Sequence, residues 1–315
     1  MAKLDQKFLT GVCTDLWKKC AVEVSEDSVK LLKKALKSET SAVAKAQLEM
    51  MIKNTEKAKE LNLPTCQSPG SFIAYIRYGT RLSLGADLYK AIADGVRKAA
   101  AEGFIRPSIV HPITRENTFD GTGDYMPVID VDLVPSVEDL EITVLLKGFG
   151  AENASDLIML LPAEVGENGE GIKKFVLDTE LKGRGMPCPP NVIGVGLGGT
   201  MDCAARLSRI ALMRPWGESS KDPAYAKLER ELLKVVNQLG IGPMGQGGDT
   251  TALAVAIEGA FTHVVGLSVA CNIQCWCNRR VTARITADRE VEYLSRPTLP
   301  TPDSWRLAEG WPWER

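Results

Sequence analysis

Apolar positions along this chain follow two rhythms. Between residues 26 and 61 they return every three or four places: Leu31, Leu32 and Leu36 make one stripe, and after the Ser38-Glu39-Thr40 break Ala44, Leu48, Met51 and Ile52 make a second. That period predicts helices burying one face, and Pro64 ends the second of them. Leu88, Ile92 and Val96 predict a further helix, closed by Gly103. Residues 72–78 read as a strand, and 128–134 and 140–146 alternate as half-buried strands do. The short apolar run 157–161, stopped by Pro162, fits a buried strand. Residues 192–195 form a short β-branched strand that runs into a glycine string, and a helix follows with Ala204, Leu207, Ile210 and Ala211 on one face. Residues 225–239 read as a helix with i,i+4 charge pairs, ended by Gly240. The runs 253–260 and 264–269 read as strands, and 281–285 with 291–294 as a hairpin. Strands and helices mix without strict alternation. This predicts a mixed α/β (α+β) fold, not a purely doubly wound sheet. There is no internal repeat and no composition shift before residue 295, so 1–295 is expected to be one domain. Residues 296–315 form a Pro- and Trp-rich C-terminal tail.

Composition narrows the classes. A chain of 315 residues can bury a full core. A net charge of −2 gives no electrostatic reason to expect nucleic acid or membrane as a partner. No apolar run nears the roughly 20 residues of a membrane span, and residues 1–19 lack the continuous apolar stretch of a signal peptide. A cytoplasmic location is expected. There the eight cysteines stay reduced unless they hold metal.

The cysteines carry the chemistry. Cys66 lies in Leu63-Pro64-Thr65-Cys66-Gln67-Ser68-Pro69-Gly70, and Cys188 in Gly185-Met186-Pro187-Cys188-Pro189-Pro190. Cys275 lies in Cys271-Asn272-Ile273-Gln274-Cys275-Trp276-Cys277, just before Arg279-Arg280. Thiols among prolines and glycines are poor core filler, whereas Cys13, Cys20 and Cys203 sit on helix faces as core thiols do. Three thiols on separate loops suit a metal cluster if the fold brings them together. An iron–sulfur cubane on three thiolates leaves one iron open as a Lewis acid. Zinc fits the spacing of Cys271, Cys275 and Cys277, but no nearby Cys or His supplies a fourth ligand.

Two glycine strings compete for attention. Gly194-Val195-Gly196-Leu197-Gly198-Gly199-Thr200 fits the G-x-G-x-x-G turn of a dinucleotide site between strand and helix. Against that reading, the string lies past the middle of the chain and lacks the acidic residue expected about 20 positions on. Gly240-Ile241-Gly242-Pro243-Met244-Gly245-Gln246-Gly247-Gly248 implies tight turns or a close backbone approach to something.

Together these strings resemble the α subunit of the iron–sulfur fumarate and tartrate dehydratases, the class I fumarase group. The resemblance runs from about residue 10 to 295. It is carried by Pro64-Thr65-Cys66-Gln67, by Cys188-Pro189-Pro190 with the glycine string 194–200, by Leu239-Gly240-Ile241-Gly242-Pro243-Met244-Gly245, and by Cys275-Trp276 with Arg279-Arg280. It implies a domain with a central mixed sheet and surrounding helices, and a [4Fe–4S] cluster held by Cys66, Cys188 and Cys275. Cys271 and Cys277 are then spectators. The implied activity is reversible removal of water from a small hydroxy (di)carboxylic acid, with the open iron as Lewis acid and a base and an acid moving protons. Arg106 matches a family arginine that grips a substrate carboxylate, as its guanidinium fork suits. His263 matches the family's substrate-site histidine, and Gln67 the glutamine beside the first cluster ligand.

Three stretches depart from the family pattern. Asp-Thr-Gly after Cys-Gln is here Ser68-Pro69-Gly70, so serine stands where the family has a proposed acid. Lys-Gly-Gly-Gly-Ser is Lys147-Gly148-Phe149-Gly150-Ala151, so a ring stands beside Gly148 where backbone usually meets substrate. Asn-Thr-Gly-Asp-Asn is Gly121-Thr122-Gly123-Asp124-Tyr125. The expectation is a hydro-lyase whose substrate is not plain fumarate. The chain also stops where single-chain relatives continue into a swivelling domain. The resemblance therefore implies a separate β subunit that supplies a threonine base and further Arg and Lys contacts, in a heterotetramer that Trp305, Trp311 and Trp313 help to assemble. The alternatives are a non-catalytic iron–sulfur protein of the same family and a dinucleotide-binding oxidoreductase.

Overall fold

The structure, a computed structural model, describes residues 4–294 and Thr298. The tail with Trp305, Trp311 and Trp313 lies outside the described residues. In chain order the elements are β1 (Leu4–Asp5), α1 (Gln6–Val22), α2 (Glu26–Ser38), α3 (Ala42–Leu61), β2 (Ser71–Gly79), β3 (Leu84–Gly85) and α4 (Leu88–Ala101). Then come β4 (Val128–Val134), β5 (Asp139–Lys147), α5 (Phe149–Ala154), β6 (Asp156–Leu160), α6 (Pro162–Val165), α7 (Glu170–Gly183) and β7 (Asn191–Leu197). The chain continues through α8 (Met201–Ala211), α9 (Pro223–Asn237), β8 (Ala252–Gly259), β9 (Leu267–Gln274), β10 (Arg279–Thr286) and β11 (Val291–Leu294). No helix among the described residues is long and apolar enough to cross a membrane.

The mixed α/β class holds, with the mixed sheet present as two. One has the order β11-β10-β5-β2-β4, with β2 and β4 parallel and the other pairs antiparallel. The other has the order β6-β9-β7-β8, with β7 and β8 parallel. The five-stranded sheet buries Phe72, Ala74, Ile76, Ile142 and Val144 against α1 and α4. Its opposite face sets Ile73, Tyr75 and Leu145 against Ile210 and Met213 at the end of α8. The four-stranded sheet presses Ile193, Val195, Ile257 and Ile273 onto α5, α7 and α9. Helix α8 therefore lies between the sheets, and the layers run helix, sheet, helix, sheet, helix.

This middle layer explains the first glycine string. A Cβ at Gly196 would stand 1.9 Å from the Ala204 carbonyl oxygen, and one at Gly194 would stand 2.1 Å from that of Ser208. Both glycines let α8 lie directly on β7, a packing use that removes the basis for a dinucleotide turn. The last strand of the four-stranded sheet also starts later than its apolar run suggests, at Leu267. Thr262 and His263 close a turn ahead of it, with Thr262 Oγ1 donating to the Gly266 carbonyl at 2.8 Å and Gly266 N–H to that of His263 at 3.2 Å.

Two connections cross from one sheet to the other at the same end. Residues 148–155 lead from β5 through α5 to β6, and residues 275–278 lead from β9 to β10. The hairpin of α2 and α3 caps this end, packing Leu32, Leu48 and Ile52 in one cluster with Cys275, Trp276 and Cys277.

Beside this end lies a buried carboxyl. Glu180 on α7 accepts a hydrogen bond from Asn191 Nδ2 at 2.8 Å, while its Oε1 has no partner among the described residues. Burial pushes its carboxyl up from 4.5 to about 7. A raised acid gives stability that is complete below the unfolded value of 4.5 and is lost as pH rises to about 7. Glu180→Gln is therefore expected to gain on the wild type by about 3 kcal/mol between pH 4.5 and pH 8. Urea unfolding at both pH values reads this, and a gap that stays constant refutes it.

Candidate active site at the seam

Each of the three turn cysteines is placed by a different layer. Thr65 fixes the first: its N–H donates to the Ala21 carbonyl at 2.9 Å and its hydroxyl to that of Val22 at 2.7 Å, both at the end of α1. Asn54 on α3 donates to the Thr65 carbonyl at 2.9 Å. Cys66 follows, half-buried, and Gln67 and Ser68 are exposed. The loop then drives into the seam. Gly70 has φ +75°, and a Cβ there would stand 1.9 Å from the Lys147 carbonyl oxygen. Only glycine lets the Cys66 loop touch the end of β5.

Cys188 sits on a turn with its own φ at +56°. Its N–H donates to the Gly185 carbonyl at 3.1 Å, and its carbonyl accepts from Trp276 N–H at 3.3 Å. The second glycine string backs this turn: Met244 N–H donates to the Pro189 carbonyl at 2.7 Å, and Gly245 packs against Gly185. The close backbone approach that the string implied is to the Cys188 loop.

Cys275 begins the crossing from β9 to β10. The fully buried Gln274 organises it: Oε1 accepts from both the Cys275 and Gly148 N–H groups at 3.1 Å, and Nε2 donates to the Leu146 carbonyl at 3.0 Å. A Cβ at Gly148 would lie 3.5 Å from Cys275 Sγ. Gly148 thus meets the site through its Cα, with its N–H already committed. Gln274 went unassigned in the sequence reading. It is the last residue of β9, beyond the run 264–269 that read as a strand, and no local pattern marked it.

Arg279 closes the arrangement. It is 1 % exposed and donates through Nη2 to the Ser68 carbonyl at 2.7 Å and the Pro69 carbonyl at 3.4 Å. It makes no ion pair with a carboxylate among the described residues, and its Nε–H is buried without an acceptor. Burial opposes its charge, yet the sulfurs of Cys277, Cys275 and Cys66 outweigh that and hold it protonated. Its neighbour Arg280, by contrast, pairs with Asp27.

The thiols sort themselves by environment. Burial pushes Cys13 and Cys20 up to about 12 and Cys271 well above its ordinary 9.0, so these three are protonated core thiols. Cys188 is raised, first by burial and then by the Cys275 and Cys66 sulfurs. Cys275 is lowered to about 6, first by a hydrogen bond from Cys277, whose sulfur is 3.2 Å away, and then by Arg279. Cys277 is therefore in contact with a site residue, although sequence reasoning left it a spectator. No three Cys, His, Asp or Glu side chains among the described residues close into a cage for a single ion.

Other candidates occupy the rim or lie elsewhere. Phe149 starts α5, 53 % exposed. Met186 beside the Cys188 turn and Met244 on its backing loop are exposed too. Arg106 is exposed just beyond buried Ile105, after α4, and has no ion pair among the described residues. The loop it begins leads to β4, whose Val128 pairs with Ile73 near the Cys66 end of β2. His263 is not brought to the cysteines. It lies exposed on the turn between β8 and β9, and the eight residues of β9 separate it from Cys275 by about 25 Å at strand rise.

Residues 10–284 match the family described as Fumarate hydratase (Fumerase). The chain is 41% identical over 286 residues to a Methanocaldococcus jannaschii protein provisionally named L(+)-tartrate dehydratase subunit alpha, an alignment covering 90% of this chain and 99% of the relative. It is 33% identical over 287 residues to the L(+)-tartrate dehydratase subunit alpha of Escherichia coli K12, covering 91% and 94%.

The Arg279 contacts generate a test of the clamp. Arg279→Met is expected to cost about 2–4 kcal/mol of stability, since it removes donors from buried carbonyls. It should also speed amide exchange across residues 66–72. Unchanged exchange there contradicts the clamp, whatever the stability.

Proposed function

The chain belongs to the fumarate hydratase family and is a hydro-lyase, and we propose that it is the α subunit of a two-chain dehydratase acting on a tartrate-type hydroxy dicarboxylic acid. In this reading Cys66, Cys188 and Cys275 hold a [4Fe–4S] cluster. A separate β subunit completes the site in a heterotetramer.

One observation carries the cluster assignment: a buried guanidinium without a carboxylate among the described residues stands beside the Cys66 and Cys275 loops, and the Cys188 loop is hydrogen-bonded to Trp276 next to Cys275. An isolated buried cation is strongly unfavourable, so Arg279 calls for negative charge in the thiol set. When bound, such a cluster supplies Lewis-acid chemistry at the iron that no thiolate occupies.

The chain's own residues then divide the remaining work. The exposed Arg106 fork suits a substrate carboxylate. Gln67 presents an amide beside Cys66 that can orient a second polar group of the substrate. The Ser68 hydroxyl can hydrogen-bond but is too weak an acid to protonate a leaving oxygen, so that proton comes from another group. Phe149, Met186 and Met244 are exposed apolar side chains on which the β subunit seats, excluding water and bringing the base. His263 lies too far along β9 to act on this chain's own site.

The test is anaerobic co-purification with the β chain and a screen of hydroxy acids. L(+)-Tartrate is expected to turn over at least about tenfold better than malate in kcat/KM. Cys66→Ala, Cys188→Ala and Cys275→Ala should each lose bound iron and at least about 1,000-fold in activity. Malate turned over as well as tartrate overturns the substrate reading. Full activity in any one cysteine variant overturns the ligand set.

A further inference from the structure

The cysteine pair at the seam has a geometry that the cluster reading does not require. Cys275 Sγ and Cys277 Sγ are 3.2 Å apart, in contact, and both residues are buried. The backbone holds them there. Asn278 N–H donates to the Cys275 carbonyl at 3.1 Å, closing a turn over residues 275–278, and Trp276 N–H is tied to Cys188 at 3.3 Å. On the outer side the turn is held by Arg280, which pairs with Asp27 and stacks 5.5 Å from the Trp216 ring. Two sulfurs fixed in contact need to approach by only about 1 Å to bond.

We propose that Cys275 and Cys277 are a peroxide-sensitive dithiol whose closure to a disulfide withdraws one ligand from the metal site. The ligand-withdrawal half of this rests on the cluster assignment above; the dithiol half does not. One thiol takes an oxygen from hydrogen peroxide, giving a sulfenic acid and one water. The second sulfur then displaces the sulfenic hydroxyl, which leaves as a second water with the proton of the second thiol. Two S–H bonds and the O–O bond break, one S–S bond forms, and two electrons pass from the thiols to the peroxide. Thioredoxin-type dithiols restore the two thiols by thiol–disulfide exchange and are themselves oxidised to a disulfide. With the cluster in place Cys275 is engaged; once the cluster is lost, closure stores the site in a form that cannot reload until it is reduced.

The experiment uses the full-length chain with its β subunit, stripped of metal and treated with one equivalent of hydrogen peroxide. Free thiols are then alkylated and the peptide spanning residues 271–277 is weighed. The expected peptide is 2 Da lighter by an internal disulfide and carries one alkyl group, on Cys271. Cys277→Ser should abolish that product. Iron and sulfide uptake without reductant is the second readout. Oxidised wild type should load at least tenfold less than reduced wild type, whereas Cys277→Ser loads equally either way. Alkylation of both Cys275 and Cys277 after peroxide, or a disulfide from Cys275 to Cys66 or Cys188, overturns the dithiol. If the disulfide forms but the reduced chain takes up neither iron nor sulfide, the dithiol stands and the cluster assignment falls.

Discussion

A positive charge with no carboxylate to meet it governs the seam. Arg279 is held where the two sheets join, and its anionic neighbours are sulfurs. In a medium of low dielectric constant a lone guanidinium is expensive. The neighbouring sulfurs offset it once deprotonated: the Cys277 hydrogen bond and then Arg279 lower the Cys275 thiol to about 6, and thiols that bind metal do so as thiolates. The same guanidinium donates to the Ser68 and Pro69 carbonyls, so the group that needs the anion also positions the Cys66 loop. On the proposed reading, loading the cluster and setting the loop are one coupled event, and the cluster-free site is the less stable state.

The layered architecture decides where that coupling can occur. With α8 between the sheets, contact between them through the middle is blocked by a helix, and they join directly only where the chain crosses at one end. Gly194 and Gly196 let α8 sit close on β7. Gln274 then bonds both crossings at once, through Gly148 and Cys275 on one side and Leu146 on the other. Each cysteine loop has its own backing: Cys66 the end of α1 and Asn54 of α3, Cys188 the second glycine string, Cys275 the α2–α3 hairpin. A site assembled this way is rigid because several independent packings agree on it.

Periodicity in the sequence reached the elements whose apolar stripe is clean. Helices α2, α3, α4, α8 and α9, and the strands of both sheets other than β9, lie where the pattern put them within a few residues; β9 runs Leu267–Gln274, where the apolar run covered 264–269. Helix α1 escaped because Thr10, Thr14 and two cysteines share its buried face with Leu9, Leu16 and Trp17, which blurs the stripe. Helix α7 buries Thr179 and even Glu180, so its inward face reads as polar. The glycines looked like a nucleotide turn because a tight helix–strand contact and a phosphate cradle make the same demand, the absence of a Cβ. Turn chemistry pointed to Cys66 and Cys188, since prolines and glycines around a thiol leave it little core to fill; Cys275 has no such neighbours and was reached through the family resemblance. The partners that hold them were not legible. Gln274, Arg279 and the Cys277 contact depend on pairings between residues far apart in sequence, and no local pattern encodes those.

The departures from the family pattern fall where the fold tolerates them. Residue 68 contributes its carbonyl to Arg279, and a backbone group survives any change of side chain, so serine can replace an acid without loosening the Cys66 loop. Phe149 opens α5 with half its surface exposed, and the contacts that fix this crossing belong to Gly148 and Lys147 on either side of the connection from β5. A ring there alters the mouth and leaves the floor as it was. Gly70 is the opposite case: its position against the Lys147 carbonyl admits no side chain at all. The site therefore has a floor set by backbone contacts and buried polar groups, and a rim set by exposed side chains. Substrate preference can shift through the rim while the residues proposed to hold the cluster keep their places.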